Sequence, residues 1–430
     1  MFVGRAAARR GAIVQRTNLP PSAHLTPDAA DQETGRDDAL LDGFFVGGFE
    51  CSDHRIENGR RLDLLAATAH DRLAAADYAL LRGVGIGACR EGVSWVRCEA
   101  RPGHFDFTSL LPRIEAARTL DVRVAWDLMH FGWPDDVDIF DPGFPARFGR
   151  YARAFARWLA DHSDRRWLFT PVNEMSFLAW AGGDMRILNP FAAGRGVELK
   201  AQLVLATIEA IEAIRSVFPD ARFLHPEPII TIHPHPEQPK TWRRVECDNL
   251  LQYQAWDMLC GTLWPRLGGD PKYLDIIGVN FYPDNQFMLD GTTIHRGDER
   301  YRPFSAMLLE VAQRYGRPVL ISETGTEGDA RGPWLDYIAD ECVAAMEAGC
   351  ELHGATLYPI LDHPGWVDDR HCPNGLWGYP EADGRRSCHQ PLAEALARHD
   401  RRLCAARSAM LARRAAARAP LSRSVSVAAS

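Results

Sequence analysis

The sequence predicts a (β/α)8 barrel, and three observations carry that expectation. Eight short apolar runs begin near residues 44, 85, 123, 166, 222, 275, 318 and 353. Segments with apolar residues at helical spacing fill most of the gaps between them, and regular alternation of strand and helix implies parallel pairing through right-handed crossovers. No glycine-rich phosphate loop follows the first run, which weighs against the alternative of an open doubly wound sheet.

Order is expected to begin at Gly43-Phe44-Phe45-Val46-Gly47-Gly48-Phe49-Glu50. A helix over Asp71 to Arg82 leads to a second strand, Val84 to Arg90, which ends in an arginine. A helix from Leu110 to Leu120 precedes the strand Arg123 to Phe131. Between Pro145 and Asp161, Phe148, Tyr151, Phe155, Trp158 and Leu159 share one helical face, and the helix feeds a strand over 166–174. A helix over Leu203 to Phe218 is followed by strands at Arg222 to Glu227 and Asp275 to Tyr282. Helices over Ser305–Tyr315 and Trp334–Glu347 flank the strand at 318–323, and Gly354 to Ile360 is the last strand.

The predicted division is a flexible leader over residues 1–40, one barrel over 41–400 and a basic Ala/Arg-rich tail over 401–430. The net charge of −8 conceals an asymmetry: residues 1–25 carry four Arg and residues 401–430 carry seven, with no acid in either. Those eleven leave 38 of the 49 basic residues against 57 acids, so the body stands at −19. An acidic body lacks the concentrated basic face that nucleic acid requires, and the tails read as solvated and disordered. No apolar run is long enough to span a bilayer, and Met1 to Arg16 has no apolar segment of a secretory signal. The ten cysteines are scattered with no CxxC pair, as expected of reduced thiols in a cytoplasmic protein.

In a barrel the site lies at the C-terminal ends of the strands. Those ends carry Arg90, His130, Asn173, Glu174, Glu227, Asn280, Tyr282 and Glu323. Glu174 and Glu323, on the fourth and seventh strands, face each other across the barrel as the pair of carboxylates that glycoside hydrolysis uses. Glu327 reads as a solvated loop residue, and whether Glu227 lines the pocket stays open. Histidines 225, 233 and 235 raise the alternative of a metal-dependent barrel hydrolase, but the first strand has no His-x-His pair. No metal and no cofactor is expected.

These segments resemble the clan A glycoside hydrolases and in particular glycoside hydrolase family 1, the β-glucosidase family. Thr170-Pro171-Val172-Asn173-Glu174 resembles the family's Thr-Phe-Asn-Glu-Pro, and Ile321-Ser322-Glu323-Thr324-Gly325 its Ile/Val-Thr-Glu-Asn-Gly. Cys89 to Trp95 resembles Tyr-Arg-Phe-Ser-Ile-Ser-Trp, His130-Phe131 a His-aromatic pair, and Asn280-Phe281-Tyr282 the segment Asn-Tyr-Tyr. Tyr358 to Trp366 runs without a gap beside Trp-Ser-Leu-Leu-Asp-Asn-Phe-Glu-Trp. The resemblance spans about residues 44–380 and implies a retaining β-glycosidase with Glu323 as nucleophile and Glu174 as acid/base, acting on a small glycoside or oligosaccharide. It implies Arg90, His130, Asn173, Asn280, Tyr282, Tyr358 and Trp366 as substrate-binding. Three departures bear on the sugar: the glutamate of Asn-Phe-Glu-Trp is Gly365 here, the Trp that opens that motif is Tyr358, and a glutamine expected after the first strand is missing from its context, with His54 or Arg55 nearby. They keep open a sugar-binding barrel that has lost turnover.

Overall fold

The computed structural model describes residues 40–163, 168–235 and 237–418. Eight parallel strands close into a barrel in sequential order: β1 (Phe45–Gly48), β2 (Ala88–Gly92), β3 (Arg123–Asp127), β4 (Leu168–Thr170), β5 (Arg222–Pro228), β6 (Ile276–Asn280), β7 (Val319–Thr324) and β8 (Leu352–Leu357). Phe45 pairs with Ala355 and Gly47 with both Leu357 and Cys89, so β1 closes the ring between β8 and β2. Nearly every strand residue is buried, because helices cover the outer face and side chains fill the inside.

The covering helices are α1 (His70–Gly83), α2 (Leu111–Thr119), α3 (Phe144–His162), α4 (Gly196–Arg215), α5 (Gln254–Leu259), α6 (Phe304–Tyr315), α7 (Arg331–Glu347) and α8 (Gln390–Arg418). In α3, Phe148, Tyr151, Phe155 and Leu159 are fully buried at the expected spacing. Gly149 permits the close approach of α4: a Cβ there would stand 3.2 Å from the Glu209 Cβ. Three two-stranded ribbons extend the loops beyond the strands: His363–Pro364 with His371–Cys372, Trp377–Pro380 with Arg386–Cys388, and Thr231–His233 with Gln286–Met288.

Four expectations are corrected. The second strand runs over Ala88–Gly92, so Arg90 lies within it; residues 84–87 turn out of α1 through Gly85 at φ +83°. The fourth strand stops at Thr170, and Glu174 lies beyond it in a left-handed turn. The helix expected over 203–218 spans 196–215 instead. Residues 401–418 belong to α8 and are not solvated coil: Leu403 and Met410 are buried, and the Arg407 guanidinium donates to the carbonyls of Gly43 (2.7 Å) and His353 (2.8 Å), tying the starts of β1 and β8. The leader before residue 40 and residues 419–430 lie outside the described residues. Among the described residues no helix is long and apolar enough to cross a membrane.

Candidate active site

Alternation along β2 sends Arg90 into the barrel and Glu91 outward. Glu91 is consumed by structure, accepting from Tyr78 (2.8 Å) and Arg113 (3.0 Å) and meeting His70 Nε2 (2.6 Å). Arg90, fully buried, spreads across the barrel mouth: Nη1 donates to Glu323 Oε1 (2.6 Å), and Nη2 to Asp127 Oδ2 (2.6 Å) and Asn173 Oδ1 (2.5 Å). One guanidinium thereby joins β2, β3, β7 and the turn after β4. Its planar fork suits this task as a lysine would not.

Because Asn173 turns Oδ1 to Arg90, its Nδ2 faces His130 Nε2 at 3.2 Å. His130 Nδ1 meets Asp127 Oδ2 at 2.9 Å, and against the effect of burial its Cys51 and Asp127 neighbours raise the imidazole well above its ordinary range. The Tyr358 hydroxyl stands 3.5 Å from the same Nε2 with the two rings stacked, and Gly48 makes room for it: a Cβ there would come within 2.2 Å of the Tyr358 ring.

Glu323, at the end of β7, accepts a second hydrogen bond from the Tyr282 hydroxyl at 2.9 Å. Burial and then the Glu323 charge push that hydroxyl well above the ordinary tyrosine range, so it stays a donor. Glu174 lies across the mouth, its Oε1 accepting from Asn280 Nδ2 (2.8 Å), while Asn280 Oδ1 accepts from Ser322 Oγ (2.6 Å). Burial first, and then the charge of Glu323, push the Glu174 carboxyl up to about 8. Two carboxyl groups thus share a pocket in different settings, one held by a cation and a phenol, the other kept as the acid. The backbone of Glu174 is left-handed at φ 45°, ψ 60°, which costs about 1–2 kcal/mol for a residue other than glycine.

Every residue expected at the site lies at the C-terminal end of the barrel, with Trp366 on the rim, its ring edge-on to His54 at 4.6 Å and packed near Phe131 and Phe177. Of the residues expected in place of the glutamine, His54 is wholly buried and Arg55 turns away to pair with Asp135. Glu50, two residues beyond β1, is buried. One of its oxygens accepts from the backbone N–H (2.9 Å) and hydroxyl of Ser52, and the other has no partner among the described residues. Burial and then the Glu50 charge raise the Tyr358 hydroxyl, and Glu50 also acts on Tyr282, so this third carboxylate borders the same pocket. Asp127 was likewise not singled out by sequence; its signal is a lone acid inside the apolar run Val124 to Met129.

Glu327 lies in an exposed ion pair with Arg370, through two contacts of 2.7 and 2.8 Å. A Cβ at Gly365 would fall 2.3 Å from Asp368 Oδ1, so a side chain there would turn that exposed carboxylate aside. Histidines 225, 233 and 235 form no metal-ligand cluster among the described residues. The grouping with suitable donors among the described residues is Cys51, Asp127 and His130, within 4.8 Å of one another, where Arg90 and His130 both meet Asp127 Oδ2.

The sequence matches no protein-family model and no curated protein. Solved structures do match. The β-glucosidase from Thermotoga maritima in complex with glucoimidazole is 16% identical at a TM-score of 0.68, over 83% of this chain and 98% of that one. The family 1 β-glucosidase from the same organism in complex with isofagomine lactam is 16% identical at 0.67, over 84% and 99%. A monomer of a hyperthermophilic β-glucosidase mutant is 16% identical at 0.65, over 82% and 98%. The chain has the fold of the family 1 β-glucosidases.

Proposed function

We propose that this barrel is a retaining β-glycosidase with Glu323 as nucleophile and Glu174 as general acid/base. The observation that carries the proposal is the contrast between the two carboxyl groups: Glu323 accepts from Arg90 and Tyr282, whereas Glu174 is kept protonated up to about pH 8 by burial and by Glu323 itself. In the first step Glu323 attacks the anomeric carbon and Glu174 protonates the departing oxygen. A glycosyl-enzyme ester forms on Glu323. Loss of the negative charge on Glu323 then removes part of what holds the Glu174 proton, so Glu174 becomes the base that activates water for the second step. Asn173, anchored by Arg90, is suited to bond the sugar 2-hydroxyl as positive charge develops on the ring. The solved structures that share the fold include complexes with glucoimidazole and isofagomine lactam, and the reading takes a small glycoside as substrate here.

The acid role has a direct test. Glu174→Ala should slow glycosides with poor leaving groups by about 10²–10⁴-fold while sparing activated aryl glycosides, which need little protonation. Equal losses for both classes would refute the role. In the native protein the basic limb of kcat/KM should fall near pH 8, because activity requires the protonated acid and is lost as pH rises through its value.

For the sugar, the free oxygen of Glu50 supplies an acceptor that Gly365 cannot. Glu50→Ala is expected to raise KM roughly tenfold to a hundredfold, the worth of a hydrogen bond to a charged group, with a smaller change in kcat. Steady-state kinetics on a panel of chromogenic glycosides measures both and identifies the preferred sugar; an unchanged KM on the best of them would remove Glu50 from the pocket wall.

A further inference from the structure

Glu227 is wholly buried on β5, and the catalytic pair does not use it. Its two carboxylate oxygens bracket the backbone N–H of Ser176 at 3.0 and 3.2 Å. The neighbouring carbonyl, Pro226 O, accepts the N–H of Glu174 at 3.1 Å. Two consecutive residues of one strand therefore clasp both sides of the left-handed turn at Glu174. Without that clasp the turn would relax toward ordinary helical or extended angles and swing the Glu174 carboxyl away from Asn280.

We propose that Glu227 is the positioning residue of the acid/base: its carboxylate fixes the turn that presents the Glu174 carboxyl to Asn280 and the pocket. This rests on the glycosidase reading for its catalytic consequence, though not for its geometry. The charged and titratable groups facing Glu174 are Glu323 from β7, Glu227 from β5, Tyr282 just after β6 and His130 beyond β3, with Asn280 of β6 donating to it. Those facing Glu227 are Glu174 and Lys200 of α4, whose ammonium donates to Gln254 Oε1 of α5 at 3.0 Å and also feels Asp184. Burial raises Glu227 to about 7 and lowers Lys200 to about 8, against their mutual attraction. Above neutrality Glu227 is ionised, and a second anion beside Glu174 makes that acid harder to deprotonate. In Glu227→Gln that anion is gone, which lowers the Glu174 value, while Lys200 loses the charge that raises it and gives up its proton more readily.

The test is a 13C NMR titration of glutamate side-chain carboxyls in the full chain, with the Glu174 signal assigned by its loss in Glu174→Gln. The midpoint, near 8 in the native protein, should fall by about one pH unit in Glu227→Gln, and the basic limb of kcat/KM should move with it. Glu227→Ala, which also removes the acceptor for Ser176, should lose at least about tenfold more rate on glycosides with poor leaving groups than on activated ones. A midpoint unchanged in Glu227→Gln overturns the proposal, as does a uniform loss in Glu227→Ala for all leaving groups. The two readings separate cleanly: a shifted midpoint in a protein that hydrolyses no glycoside retains the positioning role and sinks the glycosidase, and the reverse pattern does the opposite.

Discussion

Glu323→Gln is expected to lower kcat/KM by on the order of 10⁴-fold on every glycoside the protein hydrolyses. Glutamine has nearly the same shape, so its carbonyl can still accept from Arg90 and β7 keeps its place. What disappears is the proposed nucleophile, and neither of the two nearest glutamates is placed to replace it: Glu174 faces Asn280, and Glu227 is enclosed behind it. Incubating the native protein with 2-deoxy-2-fluoro glycosides that carry good leaving groups should add one sugar mass per chain, because the electron-withdrawing fluorine slows both steps while the good leaving group restores the rate of the first alone. Peptide mapping should locate the label on Glu323. A label on another residue, or free turnover by Glu323→Gln, would overturn the retaining mechanism, and a protein that neither labels nor turns over would be the sugar-binding barrel.

The largest effect on stability is expected from Arg90→Met. The guanidinium neutralises Asp127 and Glu323 and satisfies Asn173, all buried, with the Asp127 ion pair at 2.6 Å and the Glu323 pair at 2.6 Å. Removing it strands two carboxylates in a low-dielectric interior, a change that costs about 3–5 kcal/mol when one partner of a buried pair is deleted. Arg90→Lys should recover only part of this, since one ammonium cannot reach three acceptors in the guanidinium plane. Chemical denaturation followed by circular dichroism measures the loss; a midpoint equal to that of the native protein would show that the site does not depend on Arg90. The effect also bears on chemistry. Arg90 anchors both the proposed nucleophile and the amide proposed to contact the sugar, so Arg90→Lys should lose activity even where it folds.

Much of this was legible from residues in order. Buried strands announce themselves as apolar runs, and the polar residue that closes each run must face the pocket at the C-terminal end, which is how Glu174, Glu323, Asn280 and Tyr282 were found. Boundaries were less legible. Val84 to Gly87 is as apolar as a strand, yet Gly85 at φ +83° turns the chain there and pairing with β3 begins only at Ala88. The Ala- and Arg-rich end looked like solvated coil because its charges dominate its composition. Alanine and arginine are nonetheless good helix formers, and Leu403, Arg407 and Met410 recur at helical spacing on the covered side of α8.

The sequence by itself determined the barrel, the two carboxylates and most of the polar ring, because period, burial and strand ends are properties of contiguous residues. Only the tertiary structure decided that Asp127 is the counterion of Arg90, that Glu50 borders the pocket, and that Glu227 clasps Glu174 from behind. Each of these depends on which side chains meet across strands far apart in the chain. A charge near a strand end is written in the sequence, but its partner is set by closure of the ring.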